Sequence, residues 1–156
     1  MTKKLLSAFL ALTFLFTLTA CGAPEAGKNI EGSLEELLTK VTNGASDPEM
    51  ALMTTQVNQD NFTWYFFIDP VEGAEGAVSE AAIGSIPHSI GLLRVPESAD
   101  PEQVKKDIEA KLDPRKWVCV EAEKTAVIRH GDLILVAMST ADSVDKAVAN
   151  FDALAK

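Results

Sequence analysis

The sequence predicts an α+β domain: a mainly antiparallel sheet of about four strands with helices packed on it, in a split βαβ-like order. Three observations predict it. A helix start is written out in "SLEELLTKV". Two β-rich runs flank His130-Gly131. Between Ser89 and Ala155 the apolar pattern reads strand, helix, strand, strand, helix.

The first helix begins at an N-cap, Ser33, with Glu36 three residues on to complete a capping box. Leu34, Leu37, Leu38 and Val41 then recur at i, i+3, i+4, i+7 and make one apolar stripe. Asn43-Gly44 ends it. "FTWYFFI", Phe62 to Ile68, is aromatic and bounded by Asn61 and Asp69-Pro70, a strand composition. Its two apolar faces place that strand inside the sheet. Residues 71–88 carry conflicting signals. Ala77 to Ile83 offers two helical turns, whereas Gly73, Gly76, Gly84 and Pro87 argue for irregular structure.

"SIGLLRV", Ser89 to Val95, is a second strand closed by Pro96. The following helix has Asp100 as N-cap, Pro101 at its first position and Gln103 for a box. Val104, Ile108 and Leu112 form its buried line, and Pro114 stops it. The runs 125–129 and 132–138 form a hairpin, with Gly131 supplying the positive φ of a tight turn. Leu133 to Met138 is apolar on both faces and belongs in the middle of the sheet. After Thr140 a last helix shows Val144, Ala147, Val148 and Phe151 on one face.

Ahead of this domain stands "MTKKLLSAFLALTFLFTLTACG". Lys3 and Lys4 make a positive start, Leu5 to Leu18 an uncharged apolar run, and Thr19 and Ala20 a small-residue end. This is the three-part pattern of a secretory signal, too short for a membrane span of ~20 residues. Cys21 directly behind Leu18-Thr19-Ala20 resembles the lipobox of bacterial lipoproteins. The resemblance implies a diacylglyceryl thioether on Cys21 and cleavage between Ala20 and Cys21. A thiol is the nucleophile that takes the lipid. Two acyl chains hold firmly where one gives marginal anchoring, each buried CH₂ contributing ~0.8 kcal/mol. The chain then divides into a signal peptide (1–20), the lipidated cysteine with a Gly-rich flexible spacer (21–32), and one α+β domain (33–156).

The chain has 156 residues and a net charge of −9. Losing residues 1–20 removes Lys3, Lys4 and no acid, leaving 136 residues and −11. That suffices for one real core. So acidic a chain is a poor partner for nucleic acid, whose binding depends on cationic contacts to phosphate. It is also repelled by anionic lipid headgroups, so the lipid does the anchoring. Cys119 is the second of two cysteines and lies in the alternating stretch "WVCVEA", which predicts a buried structural thiol.

The layout over Leu34 to Leu154 resembles a family of small lipoproteins of unknown function common in clostridial-type bacteria. The resemblance rests on "SIGLLRV", "DPEQVKKDIEAKL" and "TAVIRHGDLILVAMS". It implies a fold and a location. The family has no assigned activity, so no site residue or cofactor comes with it.

Chemistry is sparse. His88 and His130 are far apart, and no metal-ligand spacing, nucleophile elbow or phosphate loop is present in the sequence. Glu121 and Glu123 fall on one side of an extended chain, where a divalent cation is weighed against a solvated strand edge. Arg115, Lys116 and Trp117 form the one compact basic-aromatic spot. It reads either as a dock for an anionic partner or membrane interface, or as a helix-terminal basic pair beside a core tryptophan. The expectation is a lipid-anchored, non-enzymatic binding or accessory module outside the cytoplasm. It is held to the cell membrane through Cys21 and recognises an envelope protein or small ligand. The alternative is an enzyme whose site assembles from scattered acidic, His and Ser residues.

Overall fold

The structure, a computed structural model, describes residues 28–156. Cys21 and the Ala20–Cys21 bond therefore lie outside the described residues. The elements in chain order are α1 (Leu34–Thr42), β1 (Leu52–Val57), α2 (Phe62–Phe66), β2 (Glu75–Ala81), β3 (Ser89–Arg94), α3 (Pro101–Lys111), β4 (Lys124–His130), β5 (Leu133–Ser139) and α4 (Ala141–Leu154). The strands form one antiparallel sheet in the order β1-β2-β3-β5-β4. The fold is α+β, with five strands rather than four. Because β5 runs antiparallel between β3 and β4, the unit β3-α3-β4 is a split βαβ.

Both faces of the sheet are covered. On one, Leu34, Leu37, Leu38 and Val41 of α1 and Val144, Ala147 and Phe151 of α4 pack on Ala77, Ile90, Leu92, Leu133, Leu135 and Ala137. On the other, Phe62, Tyr65 and Phe66 of α2 and Val104 and Ile108 of α3 pack on Val78, Leu93, Ile134 and Val136. Strand β5 is buried along its whole length and β3 nearly so, which is why both read as continuous apolar runs. Burying each such Leu or Ile contributes roughly 1.5–3 kcal/mol.

The helix caps follow the sequence. Ser33 Oγ accepts from the Glu36 N–H, Asp100 from the Glu102 N–H, and Thr140 from the Ser143 N–H. Neither box is completed: the Gln103 amide donates to Asp107 one turn on, and the Glu36 side chain does not bond back to the Ser33 N–H.

Two expectations are overturned. "FTWYFFI" is not a strand. Phe62, Tyr65 and Phe66 stand at helical spacing and bury three rings on one side, while Trp64 points out. Tertiary burial outweighs the strand preference of aromatic residues. The short helix closes at Phe67, whose φ of 63° is unusual for a bulky residue. Residues 75–81 of the ambiguous segment are neither helix nor loop but strand β2. Its small residues fit the ring above them. A Cβ on Gly76 would lie 2.7 Å from Phe66 Cε2 and 2.9 Å from Val57 Cβ. Strand β1 is absent from the expected order of elements. Among the described residues no helix is long and apolar enough to cross a membrane.

Candidate functional site

The sheet has two distinct ends. One holds the β4–β5 turn at Gly131, Arg94 and the point where the chain joins the domain at Asn29 and Ile30. The other holds the start of β1, the β2–β3 connection and the loop 113–123.

At this second end Lys116 occupies a nest of aromatic rings. Its Nζ lies 5.3 Å from the Trp64 ring centre, 4.9 Å from Tyr65 and 5.2 Å from Trp117, all within cation–π range. It also donates to Ser89 Oγ at 3.2 Å. Tyr65 Oη donates to Glu80 Oε1 at 2.5 Å, and Glu80 pairs with Ser89 across β2 and β3. Elements distant in sequence meet in this cluster. Helix α2 supplies two adjacent rings, the strand register places Glu80 beside Ser89, and a turn at Asp113 lifts Lys116 back over them.

Burial lowers the Lys116 pKa to about 8, with the Glu80 carboxylate pulling the other way. Burial, and then the hydrogen bond to Glu80, push the Tyr65 phenol up to about 12. The ammonium thus keeps its proton at neutral pH, held by ring faces and one hydroxyl.

The loop 113–123 is closed by Arg115–Glu121 at 2.9 Å and by the Ala122 N–H donating to the Pro114 carbonyl at 2.9 Å. Trp117 is buried with Ala122 and Met138. Val118 is 99% exposed, and Cys119 is exposed as well. The buried thiol predicted from "WVCVEA" is therefore wrong: no regular strand forms there, and the loop turns residues 118 and 119 outward.

Glu121 and Glu123 do not converge on a cation. The first pairs with Arg115 and the second accepts from the Ala141 N–H at the start of α4 at 3.2 Å. Among the described residues no group of three or more His, Cys, Asp or Glu side chains could hold a metal ion. His88 is fully buried, with Nδ1 2.8 Å from Ser139 Oγ and Nε2 without a partner. Burial lowers its pKa, so the ring is neutral. His130 lies at the end of β4, partly covered, with Nε2 2.8 Å from Asp152 Oδ1 and its ring against Phe151.

A larger cleft of about 860 Å³ opens at the other end, lined by Arg94, Arg129, Glu102 and Asp132 among others. Its cations are already engaged. Arg94 donates to the Gly32 and Ile30 carbonyls at 3.1 and 3.0 Å, and Arg129 pairs with Glu102 at 3.0 Å and donates to Gly131 at 2.7 Å. Arg94 ties the entering chain to the domain and Arg129 ties α3 to the β4–β5 turn, so the Lys116 end is the stronger candidate.

From sequence, "PRKWV" marks this spot, but Trp64, Tyr65, Glu80 and Ser89 carry no signal linking them to it. Comparison with family models, curated proteins and solved structures gives no match.

Proposed function

We propose that the protein is a lipid-anchored, extracytoplasmic binding module at the cell envelope, non-enzymatic, presenting the Lys116 end of its sheet to a protein partner. The anchor is the diacylglyceryl group on Cys21, following cleavage after Ala20. One observation carries the binding surface. Among the described residues the exposed large apolar side chains are Leu52, Met53, Trp64, Ile83 and Val118. They all lie toward the end of the sheet opposite Asn29 and Ile30. A tether leaving from Asn29 leaves that end free to face away from the bilayer. Exposed aromatic and aliphatic side chains rimmed by polar groups are the usual core of a protein interface.

The test has two parts. Cys21→Ser is expected to abolish incorporation of labelled fatty acid; equal labelling of wild type and variant sinks the anchor. A photo-crosslinking residue at Trp64 should capture a partner in intact cells, and one at exposed Glu97, on the other end, should not. Equal capture from both positions would falsify the assignment of the surface. Trp64→Ala should weaken partner binding by about 2 kcal/mol or more, as central aromatic contacts do.

A specific contact favours the enzyme as a second reading. Ser89 Oγ and Lys116 Nζ are 3.2 Å apart, and the amine is tuned to about 8, within reach of general-base work. Acylation of the wild type by a serine-reactive probe, lost in Ser89→Ala, would support it. Ser89 is only 5% exposed, which weighs against it.

A further inference from the structure

The two edges of the sheet are finished differently. Strand β4, "KTAVIRH", places Lys124, Arg129 and His130 along its edge. These reach Asp145 and Asp152 of α4 and Glu102 of α3, so helices from both faces brace it. Charged side chains and covering helices are how sheets block an open edge. Strand β1, "LMTTQV", has neither charge nor proline, and four of its six residues are exposed.

Its free hydrogen-bonding groups can be identified. The Ala82 N–H donates to the Ala51 carbonyl. In an antiparallel ladder the bonded pairs alternate. Ala51, Met53 and Thr55 therefore bond to β2, while Leu52, Thr54 and Gln56 turn their backbone outward. The Gln56 carbonyl is taken by Asn61 Nδ2 at 3.2 Å, which fits that alternation. Leu52 and Thr54 are left facing solvent.

We infer that the β1 edge accepts an extended segment of a partner protein carrying basic residues at its ends, which adds as a sixth strand. This rests on the binding-module reading and names how the partner is held. Charge selects the occupant. Asp47 and Glu49 precede β1, Asp60 follows it, and Glu35 is bonded to Gln56. A second copy of this chain fits worse, since antiparallel pairing of two β1 strands sets the Glu49 end of one against the Asp60 end of the other. Main-chain bonds to Leu52 and Thr54 supply affinity, and the acidic flanks supply selectivity.

The probe is a capped hexapeptide of alternating threonine and valine with lysine at both ends, added to the full-length protein in detergent micelles. Amide exchange at Leu52 and Thr54 should slow on binding. The same peptide with glutamate ends should bind about tenfold more weakly, the size of two reversed charge pairs. Thr54→Pro should abolish binding and keep the unfolding transition, because its N–H faces away from β2 and proline is tolerated on such an edge. If that variant does not fold, Thr54→Lys is the substitute; it keeps the N–H and should repel the lysine-ended peptide. Unchanged exchange at Leu52 and Thr54, or full binding by Thr54→Pro, overturns the inference. So does a concentration-dependent dimer that Thr54→Pro dissolves, which makes a second copy the occupant. Partner capture from Trp64 that survives Thr54→Pro sinks this inference alone and leaves the binding module standing.

Discussion

At the end where Asn29 and Ile30 join the domain, cations are answered by carboxylates and carbonyls: Arg94 by Asp132, Ile30 and Gly32, Arg129 by Glu102 and Gly131. At the opposite end Lys116 is answered by three rings and one hydroxyl, with exposed apolar side chains around it. Both ends hold buried or half-buried charge. The first uses it to fasten a chain segment and brace α3, so its arginines are already paired, although Asp132 Oδ1 stays buried without a partner. The second leaves apolar surface and an open strand edge facing solvent. A large cleft is thus the weaker pointer to an anionic ligand here, because paired arginines have little left to offer one.

The fastened end should be the more sensitive to backbone change. Gly131 has a φ of 58°, and a Cβ there would sit 2.6 Å from Asn29 Oδ1 and 2.8 Å from Asn29 Cα. Gly131→Val should cost about 1–3 kcal/mol in urea melts, through left-handed strain and a displaced Asn29. His130→Ala should cost less, about 1 kcal/mol, since it loses a partly exposed bond to Asp152 and ring contact with Phe151. Equal melting of Gly131→Val and wild type would break the comparison at this end.

The same two ends differ in how far the sequence declares them. The turn at Gly131, its flanking strands and the three capped helices are local signals. N-caps, periodicity and a glycine each act within a few residues, and the structure keeps them, though not the capping boxes. The aromatic end is assembled from α2, β2, β3 and a loop, and two of those were illegible. "EGAVSEA" lacks the bulk of a strand because Phe66 fills the space its side chains leave. "FTWYFFI" has strand composition, yet its i, i+3, i+4 rings at 62, 65 and 66 were the helical clue. Lys116 stood out as basic beside Trp117, but no spacing rule ties it to Trp64 or Ser89.

The aromatic end should be the more sensitive to pH. Below about 8 the Lys116 amine is protonated in both folded and unfolded chains. Between about 8 and the ordinary 10.5 the folded chain has released a proton that the unfolded chain still holds, so stability rises with pH. Above 10 Tyr65 works the other way. The unfolded phenol ionises while the folded one keeps its proton to about 12, so stability falls. Urea melts should show wild type gaining on the order of 1 kcal/mol from neutral pH to about pH 9.5 relative to Lys116→Met. The loss above pH 10 should remain in that variant. Parallel profiles of the two proteins would mean the amine is solvated and the nest of rings open.

The smallest effect is expected at Cys119, and it tests where the aromatic end stops. Trp117 is packed on Ala122 and Met138, while Val118 and Cys119 stand outside that contact. The loop is held by Arg115–Glu121 and by the Ala122–Pro114 backbone bond, neither of which involves the thiol. Cys119→Ser should therefore change stability by less than about 0.5 kcal/mol, as surface substitutions do. A maleimide should label the native thiol stoichiometrically without denaturant. Labelling that waits for unfolding, together with a loss of several kcal/mol in Cys119→Ser, would put the thiol in the core. The loop would then fold inward over Trp117, Val118 would leave the exposed rim, and the surface offered to a partner would shrink to Trp64, Ile83 and the start of β1.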